Sequence, residues 1–243
     1  LTGAGAGSGD GARGGGRLDA SGGGGRGMAE LADALRAGEA GAEALARAGV
    51  EDPAAFTRAW ADLAGRASEA AGAALAPALL AAARPDSALR RLAELTAAGE
   101  DEPAASLEAP GAAGLARVLG GAEFLARRAA RMPDAVREVC AHASLPPRAE
   151  REAHARLADV VAGTRLDHAG RTLRLNRYDE MLRLTARALA GVPGDETNRE
   201  ISDLADASLA AGLRAAEAAH GVDGLVVIAM GKLGGREVNY SSD

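Results

Sequence analysis

LVVIAMGKLGGREVNYSSD, running from Leu225 to Asp243, is where the period of the chain changes. Leu225, Val226, Val227, Ile228 and Ala229 form an unbroken apolar run bounded by Gly224 and Gly231, too short for a typical helix and rich in β-branched side chains. Such a run predicts a buried strand. A lone strand leaves its own amides and carbonyls unpaired, so the expected sheet has to be completed by sequence outside these 243 residues.

The glycines that follow, at 231, 234 and 235, let backbone amides approach a phosphate without a Cβ in the way, and Lys232 and Arg236 set positive charge beside them. The stretch is not a P-loop, because Val226 stands where the first glycine is needed and Leu233 follows Lys232 in place of Ser or Thr. Nor is it a dinucleotide fingerprint, since Leu233 replaces the second required glycine. From the glycines alone, a phosphate cradle and a purely structural turn both stay open. An exposed ion pair explains Arg236 and Glu237 as well as a site does.

Upstream, residues 28–221 are punctuated as a helical array. Asp52 is placed to cap a helix with Pro53 at its first position, putting Phe56, Trp60 and Leu63 on one face. Pro85 restarts the pattern with Leu89, Leu92 and Leu95 or Thr96, and Pro110–Gly111 precede a helix expected to carry Leu115, Val118, Leu119, Phe124 and Leu125. Pro133 and Pro146–Pro147 mark further breaks. Leu175, Tyr178, Leu182, Thr185, Ala186 and Leu189 recur at helical spacing, while Arg177, Glu180, Arg183 and Arg187 are expected on hydrated faces. Thr197 and Glu200 have the spacing of a capping box, opening a helix that ends near His220–Gly221. Asp203 and Asp206 on that helix read as a solvated face.

Composition limits the remaining classes. Residues 1–27 hold 13 of the 33 glycines and only two large apolar side chains, so that segment is expected to be disordered. Only five residues are aromatic, which leaves burial to Ala, Leu and Val and favours closely packed helices. A net charge of −6 argues against a general nucleic-acid binder. No uncharged apolar segment reaches the roughly 18 residues of a membrane span, and no signal-peptide pattern opens the chain, so a cytoplasmic protein with no membrane partner is expected. The single Cys140 and the histidines at 142, 154, 168 and 220 lack the spacing of a zinc site. Cys140 reads as a small core residue and Tyr240 as a packed ring, while the arginines from Arg165 to Arg187 suggest a docking surface for an acidic partner.

The terminal string is more specific than its glycines. VIAMGKLGGREVNYSSD, Val227 to Asp243, resembles the motif of the glutamine synthetase adenylyltransferase/adenylyl-removing family, in which a second aspartate follows two positions after the first. LNRYDEMLRLTARALAG from Leu175, REISDLADASLAAGL from Arg199 and GLARVLGGAEFLARR from Gly114 are similar to helical segments preceding that motif, so the resemblance covers roughly Gly114 to Asp243. Its upstream helices look like those of the N-terminal, adenylyl-removing unit.

The resemblance implies a mainly α chain: a Gly-rich segment over 1–27, a helical region over 28–221, and over 222–243 the first strand or strands of a truncated, incomplete α+β nucleotidyltransferase fold of the DNA-polymerase-β-like type. It implies removal of AMP from a tyrosine of glutamine synthetase by phosphorolysis to ADP, with ATP used by a partner unit for attachment. Asp243 becomes the catalytic residue and a magnesium ligand, since in-line transfer at phosphorus is well served by metal ions on neighbouring carboxylates. Gly231, Lys232, Gly234, Gly235 and Ser242 become the nucleotide- and phosphate-binding residues. Glutamine synthetase, an adenine nucleotide, phosphate and a small nitrogen-signalling regulatory protein are the implied partners, and Mg²⁺ the implied cofactor. Because one carboxylate holds Mg²⁺ weakly, the chain by itself is expected to be inactive. A helical interaction module, or a nucleotidyltransferase with another target, are the competing readings.

Overall fold

A computed structural model describes residues 24–97 and 105–242. Helices follow one another as α1 (Gly24–Ala37), α2 (Ala42–Arg47), α3 (Pro53–Ala64), α4 (Glu69–Leu80), α5 (Pro85–Leu95), α6 (Ala112–Gly121), α7 (Glu123–Arg128), α8 (Pro133–Ala141), α9 (Glu150–Val161), α10 (Leu166–Leu189), α11 (Gly194–His220) and α12 (Gly231–Gly234), with a 3₁₀ turn at Ala129–Arg131. No helix among the described residues is long and apolar enough to cross a membrane.

Much of the expected punctuation is present. The Asp52 carboxylate accepts the Ala55 amide at 2.9 Å, Pro53 occupies the first turn of α3, and Phe56, Trp60 and Leu63 are buried. Pro85 and Pro133 likewise open α5 and α8. Gly221 ends α11 in the left-handed region at φ 62°, where a residue without Cβ costs least.

Two apolar clusters organise the helices. The larger gathers α1 to α8 around Leu35, Phe56, Trp60, Leu79, Leu92, Leu119 and Val136. The smaller joins α9, α10 and α11 through Leu157, Ala169, Leu184, Ile201, Leu204 and Ala207. α10 belongs to both, sending Leu182 and Ala186 into the first and Ala169 and Leu184 into the second. That two-sided helix is the common wall of the site described below.

α10 is also tied to its neighbours by buried charge, which corrects the expectation that Glu180, Arg183 and Arg187 are hydrated. The Arg183 guanidinium donates to Glu180 at 3.1 Å and to Glu200 at 2.8 Å, and Arg187 donates to the other Glu200 oxygen at 2.8 Å. Arg187 also pairs with Glu196, and Arg148 with Glu180 and Glu138. These groups leave water because each finds a charged partner, and the carbonyls of Leu145 and Pro146 take further guanidinium donors. Glu200 is thereby engaged, so the capping box does not form. α11 instead begins at Gly194, and the Thr197 hydroxyl donates to the Pro193 carbonyl.

Three other expectations change. The helix predicted to carry both Leu119 and Phe124 is divided at Ala122, whose backbone leaves the helical region (φ −112°, ψ 81°), and Phe124 is half exposed. α1 begins at Gly24, so residues 24–27 are helical, with Met28 and Leu31 packing on the core just beyond; residues 1–23 lie outside the described residues. The strand predicted at Leu225–Ala229 is not formed: among the described residues there is no strand, and Val226 and Ile228 are about four-fifths exposed. The reason is pairing. An apolar β-type run has no ladder without a neighbour for its amides, and the described residues offer none.

Candidate functional site

The glycine-rich end folds back on α10 and α11 as a compact turn. Gly231 sits at φ +56°, and a Cβ added at Gly234 would lie 2.7 Å from the Ala229 carbonyl oxygen, too close for any side chain. The Gly234 amide donates to the Met230 carbonyl at 3.3 Å, Gly235 to Gly231 at 2.9 Å and Glu237 to Lys232 at 2.7 Å. The amides of Gly234 and Gly235 therefore close the turn itself. Engaged in this way, they are not presented to a ligand.

Arg236 anchors this turn. It is the one non-glycine residue at positive φ among the described residues (57°), and its guanidinium pairs with Asp203, with Asp206 at 3.0 Å and with Glu150 at 3.5 Å. Its charge is thus turned toward α11 and α9 rather than toward a ligand. Asp203 and Asp206 are correspondingly part of a clasp and not a solvated face. Burial raises the Asp206 pKa, and the neighbouring Glu150 raises it further. Two residues on, the Val238 amide donates to the Ser202 hydroxyl at 3.1 Å and the Val238 side chain packs on the smaller core. Asn239 finishes the turn: its side-chain oxygen accepts the Ser241 amide at 3.2 Å and the Ser242 hydroxyl at 3.0 Å.

Between the turn and the two helices runs a groove of about 630 Å³, lined by Arg177 and Met181 of α10, Ile201, Leu204 and Ser208 of α11, and Lys232, Ser241 and Ser242 of the turn. Of the 28 cationic side chains, Lys232 is the only lysine. Lys232 and Arg177 meet no carboxylate among the described residues, whereas Arg183, Arg187 and Arg236 all do. Two cations without a carboxylate partner among the described residues, together with three serine hydroxyls on an otherwise apolar wall, make a groove suited to a phosphate-bearing ligand.

The sequence-predicted residues are thus partly reunited. Lys232 and Ser242 share the groove, and Gly231, Gly234 and Gly235 shape the turn that presents them. Asp243 lies outside the described residues. For the rest, no group of three or more His, Cys, Asp or Glu capable of holding a metal ion occurs among the described residues, and Asp203 and Asp206 are engaged by Arg236. The described residues alone therefore do not fit a magnesium ion. Arg177, Ser202 and Ser208 were not visible as site residues in the sequence. Arg177 and Met181 are one helical turn apart, as are Ile201, Leu204 and Ser208 in succession, but that period reads as core packing until the turn is seen lying across it. Of the arginines read as a docking surface, Arg183 and Arg187 are buried in ion pairs, whereas Arg165, Arg171, Arg174 and Arg177 are exposed.

Residues 112–243 match the family model described as glutamate-ammonia ligase adenylyltransferase. Among curated proteins, the chain is similar to bifunctional glutamine synthetase adenylyltransferase/adenylyl-removing enzymes. It is 39% identical over 148 residues to that of Thioalkalivibrio sulfidiphilus, covering 53% of this chain and 15% of the relative. It is 39% identical over 173 residues to that of Mycobacterium avium, covering 64% and 17%. With that of Streptomyces coelicolor identity is 36% over 215 residues, covering 82% and 20%. The matched part of each relative is thus a fifth of its length or less. No solved structure matches the chain. With more than half of its residues inside the family model, including the whole groove-forming end, the chain belongs to the glutamate-ammonia ligase adenylyltransferase family.

Proposed function

We propose that this chain supplies the phosphate-handling end of an adenylyl-removing unit, which transfers AMP from a tyrosine of glutamine synthetase to inorganic phosphate and releases ADP. The observation that carries the reading is the groove in which the sole lysine and Arg177, without a carboxylate partner among the described residues, stand beside Ser241 and Ser242. The names of the similar proteins supply the substrate: they are enzymes that both attach and remove adenylyl groups on glutamine synthetase.

In this reaction a phosphate oxygen attacks the phosphorus of tyrosyl-AMP. The new P–O bond makes ADP, the bond to the tyrosine oxygen breaks, and the phenolate takes up a proton. Negative charge gathers on the attacking, leaving and equatorial oxygens. Lys232, as a compact point charge, and Arg177, as a planar fork, neutralise that charge from two sides of the groove, and the serine hydroxyls orient the oxygens. Asp243 is the residue that would hold a magnesium ion, which would supply charge neutralisation at the phosphates. The Arg236 clasp keeps the turn in place while substrate enters. A small nitrogen-signalling protein is the proposed regulatory partner.

The test is phosphate-dependent release of ADP from adenylylated glutamine synthetase by the polypeptide that carries this chain. Lys232→Ala is expected to lower that rate roughly 100-fold. Phosphate-dependent removal that proceeds at the wild-type rate in Lys232→Ala refutes the assignment.

A further inference from the structure

Beside the groove lies a second recess of about 640 Å³ with a different character. The chain has only five aromatic residues; Phe56 and Trp60 are in the core, and the other three, Phe124, Tyr178 and Tyr240, all border this recess. Phe124 and Tyr178 meet at 5.4 Å between ring centroids with a 59° tilt, and the Arg128 guanidinium lies 4.2 Å from the Tyr178 centroid and 5.4 Å from that of Phe124. Phe124 is 56% and Tyr240 48% exposed, so apolar ring surface stands open to water at the rim.

The wall of the recess carries one polar demand. Thr185 is 8% exposed, and its hydroxyl has no hydrogen-bond partner among the described residues. Tyr240 lies beside it, near enough to feel the hydroxyl but outside hydrogen-bond geometry. A buried hydroxyl left unpaired is costly, and an aliphatic ligand would leave it so. A flat ring with polar edge atoms satisfies it while stacking on the aromatic rim. The recess also adjoins the groove: Arg177 and Met181 line both, and the turn gives Tyr240 to one and Ser241 and Ser242 to the other.

We propose that the recess bordered by Phe124, Tyr178, Thr185 and Tyr240 receives the purine ring of a nucleotide whose phosphates lie in the adjoining Lys232 groove, an inference that rests on the phosphate reading of that groove. The helical region, not only the glycine-rich turn, then reads the nucleotide. Thr185 recognises a polar edge of the ring, and Phe124 and Tyr240 cover its faces.

Titration calorimetry of the chain with ADP, adenosine and pyrophosphate, for wild type, Thr185→Val, Thr185→Ser and Phe124→Ala, tests this, with a thermal transition recorded for each variant to show that it is folded. ADP is expected to bind at least roughly tenfold tighter than pyrophosphate. Thr185→Val is expected to weaken ADP and adenosine roughly three- to tenfold, Thr185→Ser to restore them, and Phe124→Ala to weaken them about tenfold, with pyrophosphate unchanged throughout. Pyrophosphate binding accompanied by ADP binding that is no tighter, or that ignores both substitutions, overturns the ring site and leaves the groove intact. Adenosine binding that responds to Thr185→Val in a protein that does not bind pyrophosphate keeps the ring site and removes the groove. Binding of none of the three ligands removes both.

Discussion

Arg236 lays its guanidinium against the Asp203 carboxylate, fastening the glycine-rich turn to the middle of α11 from a backbone conformation, φ 57°, that side chains other than glycine rarely adopt. The ion pair and the unfavourable backbone oppose each other at one residue. The pair holds the turn against α11, and the backbone at Arg236 resists by about 1 kcal/mol.

This opposition gives the first prediction. Arg236→Ala removes the clasp and keeps the strain, so amide exchange at Val238, whose N–H is bonded to Ser202, should accelerate roughly fivefold. Arg236→Gly removes both and should fall between wild type and Ala. Exchange at Val238 in Arg236→Ala indistinguishable from wild type would show that the clasp holds nothing.

The buried charges around Glu200 carry a larger effect. Its two oxygens accept from Arg183 and Arg187, each only about one-twentieth exposed, so Glu200→Ala leaves two guanidinium groups short of a partner inside the protein. Breaking such a pair costs about 3–5 kcal/mol. The urea midpoint should fall accordingly, and a loss under about 1 kcal/mol would mean that Glu180 and Glu196, which the two arginines also meet, suffice to hold them.

Glu123 supplies a pH dependence. Hydrogen bonds from Arg91, first, and Arg127 hold its carboxyl pKa near 2, below the ordinary 4.5. A depressed carboxylate stabilises the fold above its unfolded pKa and loses that contribution as the pH falls through its folded one. The melting temperature of wild type should therefore exceed that of Glu123→Gln at neutral pH, and the gap should close between pH 4.5 and about 2. A gap that stays constant through that window would place the stabilisation elsewhere.

Cys140 is buried, and burial pushes its thiol up to about 11. The folded protein should resist a maleimide or disulfide reagent at mildly alkaline pH, with labelling appearing only on unfolding. Labelling of the folded chain as fast as in urea would contradict its place in the core.

Most helix starts are legible in the sequence because caps and prolines act locally: Asp52–Pro53, Pro85 and Pro133 each do their work within one turn. Lys232 stands out for the same kind of reason, beside a glycine-rich turn after an apolar run, and Ser242 only through the family resemblance; both line the groove. The burial of Glu180, Arg183, Arg187 and Asp203 is not legible in the sequence, because whether a charge is hydrated depends on a partner from another element, and Glu200 or Arg236 is invisible at that distance along the chain. Arg177 escaped for a related reason: only the fold-back of the turn converts an exposed helical arginine into a groove wall. Leu225–Ala229 has strand character without a strand, because β structure is a property of pairs.

Whether the groove binds phosphate through Lys232 is measured most directly by following backbone amide resonances while the chain is titrated with pyrophosphate, in parallel with Lys232→Met. Saturable shifts clustered at Arg177, Lys232, Ser241 and Ser242, with affinity reduced roughly tenfold or more in the variant, are the predicted result. Equal saturation in both proteins, or shifts that avoid the groove, would contradict it.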